Sequence, residues 1–217
     1  MTVVLHTPRI TPIPEELLGR WRRIPIAVAV DLAPECQIDP AIRPMLPAGQ
    51  QPALFGRAVT VRCVPPDFGA VLHAVGTIGP GDVLLINAGG YAGCAMIGDV
   101  LGGHLHRRGA AGVICDGAIR DIAGLSALQG LSVYSRSINP KGPTNASEGE
   151  VNSVTVIGGC SVSPGDLVAG DDDGLFAISP SRLPALIAAA EAKLELEASW
   201  TARLKAGDPV TDIFGLI

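Results

Sequence analysis

The stretch Gly81–Asp121, GDVLLINAGGYAGCAMIGDVLGGHLHRRGAAGVICDGAIRD, decides how the rest of the chain is read. VLLIN (83–87) is a nearly continuous apolar run of the kind buried on both faces of a sheet. AGGYAG (88–93) reads as a glycine-rich loop, and a helix is predicted from about Ala95 to Arg108, stopped by Gly109. AGVICD (111–116) reads as a second buried strand, followed by a loop presenting Asp116, Arg120 and Asp121. Asp99 stands at the loop-to-helix step, and twenty residues separate it from Arg120. Two carboxylates and an arginine on the connections of an α/β unit are the elements of a site for a divalent metal and an anionic substrate.

Working outward, FGRAVTVRCV (55–64) has β-branched residues at alternate positions and reads as a strand closed by Pro65-Pro66. A short helix is predicted over 67–77, and another over 121–128, leading to the strand LSVYSR (131–136). This alternation at short spacing argues for α/β rather than all-β. Residues 1–25 carry four prolines and one amphipathic piece, Glu15 to Arg23, and form an N-terminal arm. IAVAVDLAP (26–34) fits a strand or a helix, and 34–54 reads as an irregular loop with a helical turn. Residues 137–150 form a polar loop. VNSVTVIGGCSV (151–162) suggests two strands about a Gly-Gly break, and LVAGDDDGLFAIS (167–179) a hairpin. A long helix is predicted from Leu183 to Ala206, with Pro184 in its first turn and Gly207 at its end. The division is thus an arm at 1–25, one α/β domain at 26–207 and a tail at 208–217, whose apolar residues are expected to dock on its own domain or on a neighbour.

At 217 residues and 47% hydrophobic composition, one sizeable core is available. The net charge is −5 and no basic run exceeds two residues, which argues against a nucleic-acid surface. Five scattered cysteines without close-spaced pairs point to a reducing compartment. The absence of a leader or an eighteen-residue apolar run predicts a cytoplasmic protein without a membrane partner.

A hard divalent cation takes one or two carboxylates plus waters and substrate oxygens, and a neighbouring arginine can hold a carboxylate or a developing enolate. The helix start at Val100-Leu101 offers backbone N–H groups to an anion. Residue chemistry alone leaves a second reading open, in which Asp99 caps a helix and Arg120–Asp121 is a surface ion pair. His104 and His106 are two apart on a helix and cannot share one metal. His73 reads as a packed helix residue. The turn Asp171-Asp172-Asp173-Gly174 lacks the glutamate that closes a calcium loop, and AGGYAG fits no phosphate-binding fingerprint.

The run Gly98-Asp99-Val100-Leu101, Gly109-x-x-Gly112-Val113 and Asp116-Gly117-x-x-Arg120-Asp121 resembles the RraA-like family. That family includes the 4-hydroxy-4-methyl-2-oxoglutarate / 4-carboxy-4-hydroxy-2-oxoadipate aldolases, or class II pyruvate aldolases. Looser matches are Gly56-x-Ala58-x-Thr60-Val61, Pro140-Lys141-Gly142-Pro143 and Pro164-Gly165-Asp166. The resemblance implies a single-domain β/β/α swivelling-type fold with a long C-terminal helix, assembled as homotrimers or homohexamers with sites between subunits. It implies Mg²⁺ (or Mn²⁺), a 2-oxo acid substrate, retro-aldol release of pyruvate and oxaloacetate decarboxylation as a related activity. Carried over by position, Asp121 coordinates the metal and Asp99 holds a water on it. Arg120 binds substrate and stabilises the enolate, and the backbone of Val100 and Leu101 holds the carboxylate. A glutamate of a neighbouring last helix completes the metal's water shell, with Glu197 the best fit by spacing and Glu195 the second. The resemblance is imperfect at Gly124, where an acid is often seen, at Asn87 in place of an aspartate, and at Thr201, where an arginine is common. The family's namesake branch consists of non-catalytic regulators that bind an endoribonuclease. That branch tends to lose the aspartate found here at Asp121.

Overall fold

The sheet is built around four parallel strands whose side chains alternate between two apolar cores. The structure, a computed structural model, describes residues 2–216. Its strands are β1 (Val4–Leu5), β2 (Gln37–Ile38), β3 (Arg43–Pro44), β4 (Leu54–Arg62), β5 (Asp82–Ile97), β6 (Gly112–Ile119), β7 (Ser132–Ile138), β8 (Glu150–Val151), β9 (Thr155–Ile157), β10 (Cys160–Val162), β11 (Leu167–Gly170) and β12 (Leu175–Ile178). The helices are α1 (Glu15–Trp21), α2 (Ile26–Leu32), α3 (Gly69–Thr77), α4 (Asp99–Arg107), α5 (Ile122–Ser126), α6 (Leu183–Ala206) and α7 (Val210–Phe214). The main sheet runs β2-β12-β11-β4-β5-β6-β7-β3, with β4 to β7 parallel and the flanking strands antiparallel; β9 and β10 form a separate hairpin. This mixed α/β architecture in one domain, with its long C-terminal helix, matches the fold class expected from the sequence.

Strand periodicity explains the layering. Leu84, Ile86, Val113, Cys115 and Val133 face the core under α3, α4 and α5. Their neighbours Val83, Leu85, Ile114 and Tyr134 face a second core closed by Ile157, Cys160 and Val162 of the β9–β10 hairpin. A third core packs α1, α2 and α6 on Leu167, Phe176 and Ile178 of β11 and β12. There Trp21 stacks on Phe176 with ring centroids 6.1 Å apart and donates its indole N–H to the Leu183 carbonyl. All eight residues of β6 are buried, as a central parallel strand requires.

The ambiguous segment 26–34 is a helix at Ile26–Leu32, started after Pro25. The supposed irregular loop 34–54 contains β2 and β3, which extend the sheet at opposite edges. A larger correction concerns 88–97, expected as a loop and a helix start. It instead continues β5 with register shifts along β6, and α4 begins only at Asp99. Gly89 (φ 62°) and Gly90 (φ 76°) turn the chain where a side chain would be strained. Ala95 and Ile97 then regain pairing with Ala118 and Ile119, and the Ala95 N–H donates to the Lys141 carbonyl at 2.8 Å. The tail folds back as α7, with Phe214 against Trp200 of α6 at 5.0 Å between centroids. Among the described residues no helix is long and apolar enough to cross a membrane.

Candidate functional site

Two backbone events place Arg120 and Asp121 beside the end of β5. The Arg120 N–H donates to the Ile97 carbonyl at 3.1 Å, tying the residue after β6 to the end of β5. Asp121 then takes up a left-handed conformation (φ 57°, ψ 45°) at the N-terminal boundary of α5. A non-glycine residue there costs of order 1 kcal/mol and persists where the surroundings over-determine it. Arg120 Nε lies 3.2 Å from Asp121 Oδ2, and both side chains keep about two-fifths of their surface, 41% and 39%.

These two residues close one side of a cleft of about 290 Å³. Its other walls are apolar: Phe68 and Leu72 from α3 and its approach, Met96 from β5, Val100 and Leu101 from α4, and Pro143 from the loop after β7. Gly98 precedes α4 with no side-chain cap, so the first-turn N–H groups of Val100 and Leu101 have no cap acceptor. Asp99 opens the helix but does not line the cleft; its carboxylate sits over α5, where Gly124 makes room for it. A Cβ at position 124 would stand 2.6 Å from Asp99 Oδ2, so any side chain there would displace the Asp99 carboxylate. Likewise a Cβ at Gly98 would collide with Asp121 Oδ2, and one at Gly142 would stand 2.6 Å from an Arg120 guanidinium nitrogen.

The loop that carries Gly142 and Pro143 is fastened at both ends. Asn139 donates to the Ala92 carbonyl and accepts from the Lys141 N–H. At the far end the buried carboxylate of Asp67 accepts from the N–H groups of Gly69 (2.7 Å), Ser147 (2.9 Å) and Glu148 (3.1 Å) and from the Ser147 hydroxyl (3.0 Å). Burial alone would raise the Asp67 pKa, but these hydrogen bonds outweigh it and hold the carboxyl below its ordinary value. No spacing pattern in the sequence singles out Asp67, and the glycines at 98, 124 and 142 acquire their meaning only from what lies against them.

Asp116 does not join the site. It lies within β6 on the face opposite Cys115, buried, where it accepts from Arg136 Nε at 2.6 Å and from the Gly158 N–H at 2.9 Å. Arg136 also reaches Asp39 at 2.8 Å, and the pairing with Asp116, then Asp39, raises the arginine's pKa. Glu197 is also remote within this chain: α6 packs on α1 and α2, and the Glu197 carboxylate faces Lys193 at 3.6 Å, which itself pairs with Asp31. Glu195 is exposed two residues earlier on the same helix. His106 contacts the Gln129 carbonyl, and neither His104 nor His106 lines the cleft. The acidic turn holds backbone: Asp171 accepts from Ile26 N–H and Asp173 N–H, and Asp172 from Gly49 N–H. Among the described residues no three His, Cys, Asp or Glu side chains gather in a way that would hold a metal by themselves.

The chain is similar to several known proteins. A protein of Halalkalibacterium halodurans named "Putative 4-hydroxy-4-methyl-2-oxoglutarate aldolase" is 36% identical over 132 residues, covering 61% of this chain and 62% of that protein. The chain thus matches less than two thirds of that relative's length. An uncharacterized protein from Pseudomonas syringae pv. tomato has the same fold, with a TM-score of 0.84 at 21% identity over 98% of this chain and 99% of that one. RraAS2 of Streptomyces coelicolor, described as an unusual member of the RNase ES inhibitor RraA family, gives a TM-score of 0.77 at 25% identity, covering 88% and 98%. The RraA-like model (Aldolase/RraA) matches residues 29–176, which span β4 to β7 and every residue of the cleft, and the chain belongs to the RraA-like family.

Proposed function

We propose that this protein is a divalent-metal-dependent carbon–carbon lyase that cleaves a 4-hydroxy-2-oxo acid, with 4-hydroxy-4-methyl-2-oxoglutarate as the reference substrate, and releases pyruvate. The observation that carries the reading is the pairing of Arg120 and Asp121 at an apolar cleft beside the uncapped start of α4. The donor set fits Mg²⁺ (or Mn²⁺): Asp121 offers an exposed carboxylate, Gly98 leaves space around it, and an ion that retains several waters needs no three-residue cage. When bound, such an ion supplies Lewis acidity toward the carboxylate and keto oxygens of the 2-oxo acid.

The chain's own groups do the rest. The first-turn N–H groups of Val100 and Leu101 hold the substrate carboxylate at the positive end of α4. A water held by Asp99, whose carboxylate lies over α5 outside the cleft lining, or by Glu197 (Glu195 second) of another copy would accept the proton of the C4 hydroxyl. The C4 oxygen becomes a carbonyl as the C3–C4 bond breaks, and the electron pair moves onto the pyruvate enolate. Arg120 meets that developing charge with its guanidinium. Protonation at C3 gives pyruvate. Loss of CO₂ from oxaloacetate reaches the same enolate, which makes decarboxylation a related activity. The homotrimer or homohexamer implied by the family resemblance would supply that glutamate from a neighbouring copy, since within its own chain Glu197 faces Lys193.

The test is pyruvate release from 4-hydroxy-4-methyl-2-oxoglutarate and from oxaloacetate, with Mg²⁺ and then with EDTA. Folded protein without metal-dependent turnover on either overturns the reading. The likeness to RraAS2 supports a second reading, a non-catalytic regulator binding an endoribonuclease. Retention of Asp121 favours the enzyme.

A further inference from the structure

The glutamates proposed to serve another copy stand just past the anchored part of α6. The buried residues of this helix end at Ala190, with Leu194 packed against the third core, and the helix runs on to Ala206. Two ion pairs fix it there. Arg20 of α1 holds Glu191 through two guanidinium nitrogens, at 2.9 and 2.6 Å, so both oxygens of that carboxylate are engaged. Asp31 of α2 holds the Lys193 ammonium at 2.8 Å. Lys193 is shared: it also lies 3.6 Å from Glu197, one turn further along its own helix.

The contest for that lysine is uneven. Asp31 is the nearer carboxylate, and a lysine four residues before a glutamate is the weaker order for a helical pair. Asp31 also lies in the last turn of α2, the negative end of a helix, where an acid is disfavoured and a cation offsets it. Asp31, and Glu197 after it, hold the lysine's pKa above its ordinary value. With Asp31 gone, Glu197 is the one ion-pair partner left to Lys193 among the described residues. A carboxylate whose lone pairs are taken by an ammonium on its own helix has fewer to offer a water in another copy's cleft.

We infer that Asp31 is a positioning residue: by holding Lys193 it keeps the Glu197 carboxylate free to reach a neighbouring copy. The inference rests on the proposed function for the part played by Glu197. It adds a residue of α2, outside the cleft lining, to those on which turnover depends.

The test is a double-mutant cycle on the full chain, with Mg²⁺ and 4-hydroxy-4-methyl-2-oxoglutarate. Asp31→Asn should lower kcat about two- to fivefold, the scale of one exposed ion pair, at unchanged KM. Lys193→Gln introduced into that variant should restore kcat to the wild-type level, because the competing ammonium is gone. A merely structural pair behaves otherwise: removing the second partner repairs nothing. Wild-type kcat in Asp31→Asn, or a double variant no better than the single one, would overturn the inference. A crystal structure of Asp31→Asn gives a readout that does not depend on turnover. There the Lys193 Nζ–Glu197 distance should shorten from 3.6 Å to about 2.8 Å, and an unchanged or longer distance overturns the inference as well. If the lysine closes on Glu197 while the wild type releases no pyruvate, the lyase reading fails and the hold of Asp31 on Lys193 stands.

Discussion

Replacing Asp67 with alanine removes the acceptor for three backbone N–H groups and the Ser147 hydroxyl at once, in a place where Asp67 is 3% exposed. Each buried donor left without a partner costs about 1–3 kcal/mol, and water entering the vacated space recovers part of it. The sum is about 3–5 kcal/mol. For a chain of this size the melting temperature should fall by about 6–20 °C, at roughly 2–4 °C per kcal/mol. The loss should be local before it is global. Amide exchange followed by mass spectrometry should show residues 144–148 losing about a hundredfold in protection, while β6 stays protected. Because that loop carries Gly142 and Pro143 to Arg120, acid binding in the cleft should weaken as well. The sign of the pH dependence adds a second check. A carboxyl whose folded pKa lies below its unfolded value contributes stability above the ordinary value near 3.9 and loses it as pH falls through the folded one. The deficit of Asp67→Asn against the wild type should therefore be full at neutral pH and shrink below about pH 4. A melting shift under about 2 °C for Asp67→Ala, with unchanged exchange at 144–148, would refute the role assigned to this carboxylate.

Asp121→Ala should abolish any dependence of turnover on Mg²⁺ with little change in melting, since the side chain is exposed; metal-stimulated activity in that variant would show the ligand to be another residue. Gly98→Ala places a methyl group against the Asp121 carboxylate and the Arg120 stem, so metal or acid affinity should drop about tenfold or more at near-native stability, as read by calorimetry. Arg136→Ala strands the buried Asp116 carboxylate with the Gly158 N–H as its remaining donor. A loss of about 2–3 kcal/mol in denaturant unfolding is expected, less than for a fully buried pair because Arg136 keeps 26% exposure. Burial pushes the Cys63 thiol up to about 12 and Cys160 up to about 11, so a thiol-alkylating reagent at pH 8 should label unfolded protein and spare these two in the native state.

The parallel strands and the long helix were legible because their signals are local. VLLIN and AGVICD are uniformly apolar, and Leu183–Ala206 has a proline in its first turn and a glycine in left-handed conformation after its last. Residues 88–97 were not legible. Two glycines suggested a loop and Ala95-Met96 a helix start, but pairing with β6 and the strap at Lys141 overrides that propensity. Asp116 was misplaced for a related reason. Its apolar neighbours located the strand, but not that the strand continues to Ile119 and turns the Asp116 side chain toward Gly158 and Arg136. Arg120 and Asp121 escape this because they lie just past the strand's end.

By itself the sequence determined the α/β alternation, the availability of a sizeable apolar core and the set of charged groups from which any site must be drawn. Those follow from periodicities of two and near four along the chain, which need no partner to be read. Tertiary structure decided which charges meet. The Arg120 N–H bonds to the end of β5, Asp121 is bent into a left-handed turn, and the 139–148 loop is pinned by Asp67. The first and the last depend on partners tens of residues away in the chain, and the apolar wall from Phe68 to Pro143 exists only because crossovers α3 and α4 pack on one face of the sheet.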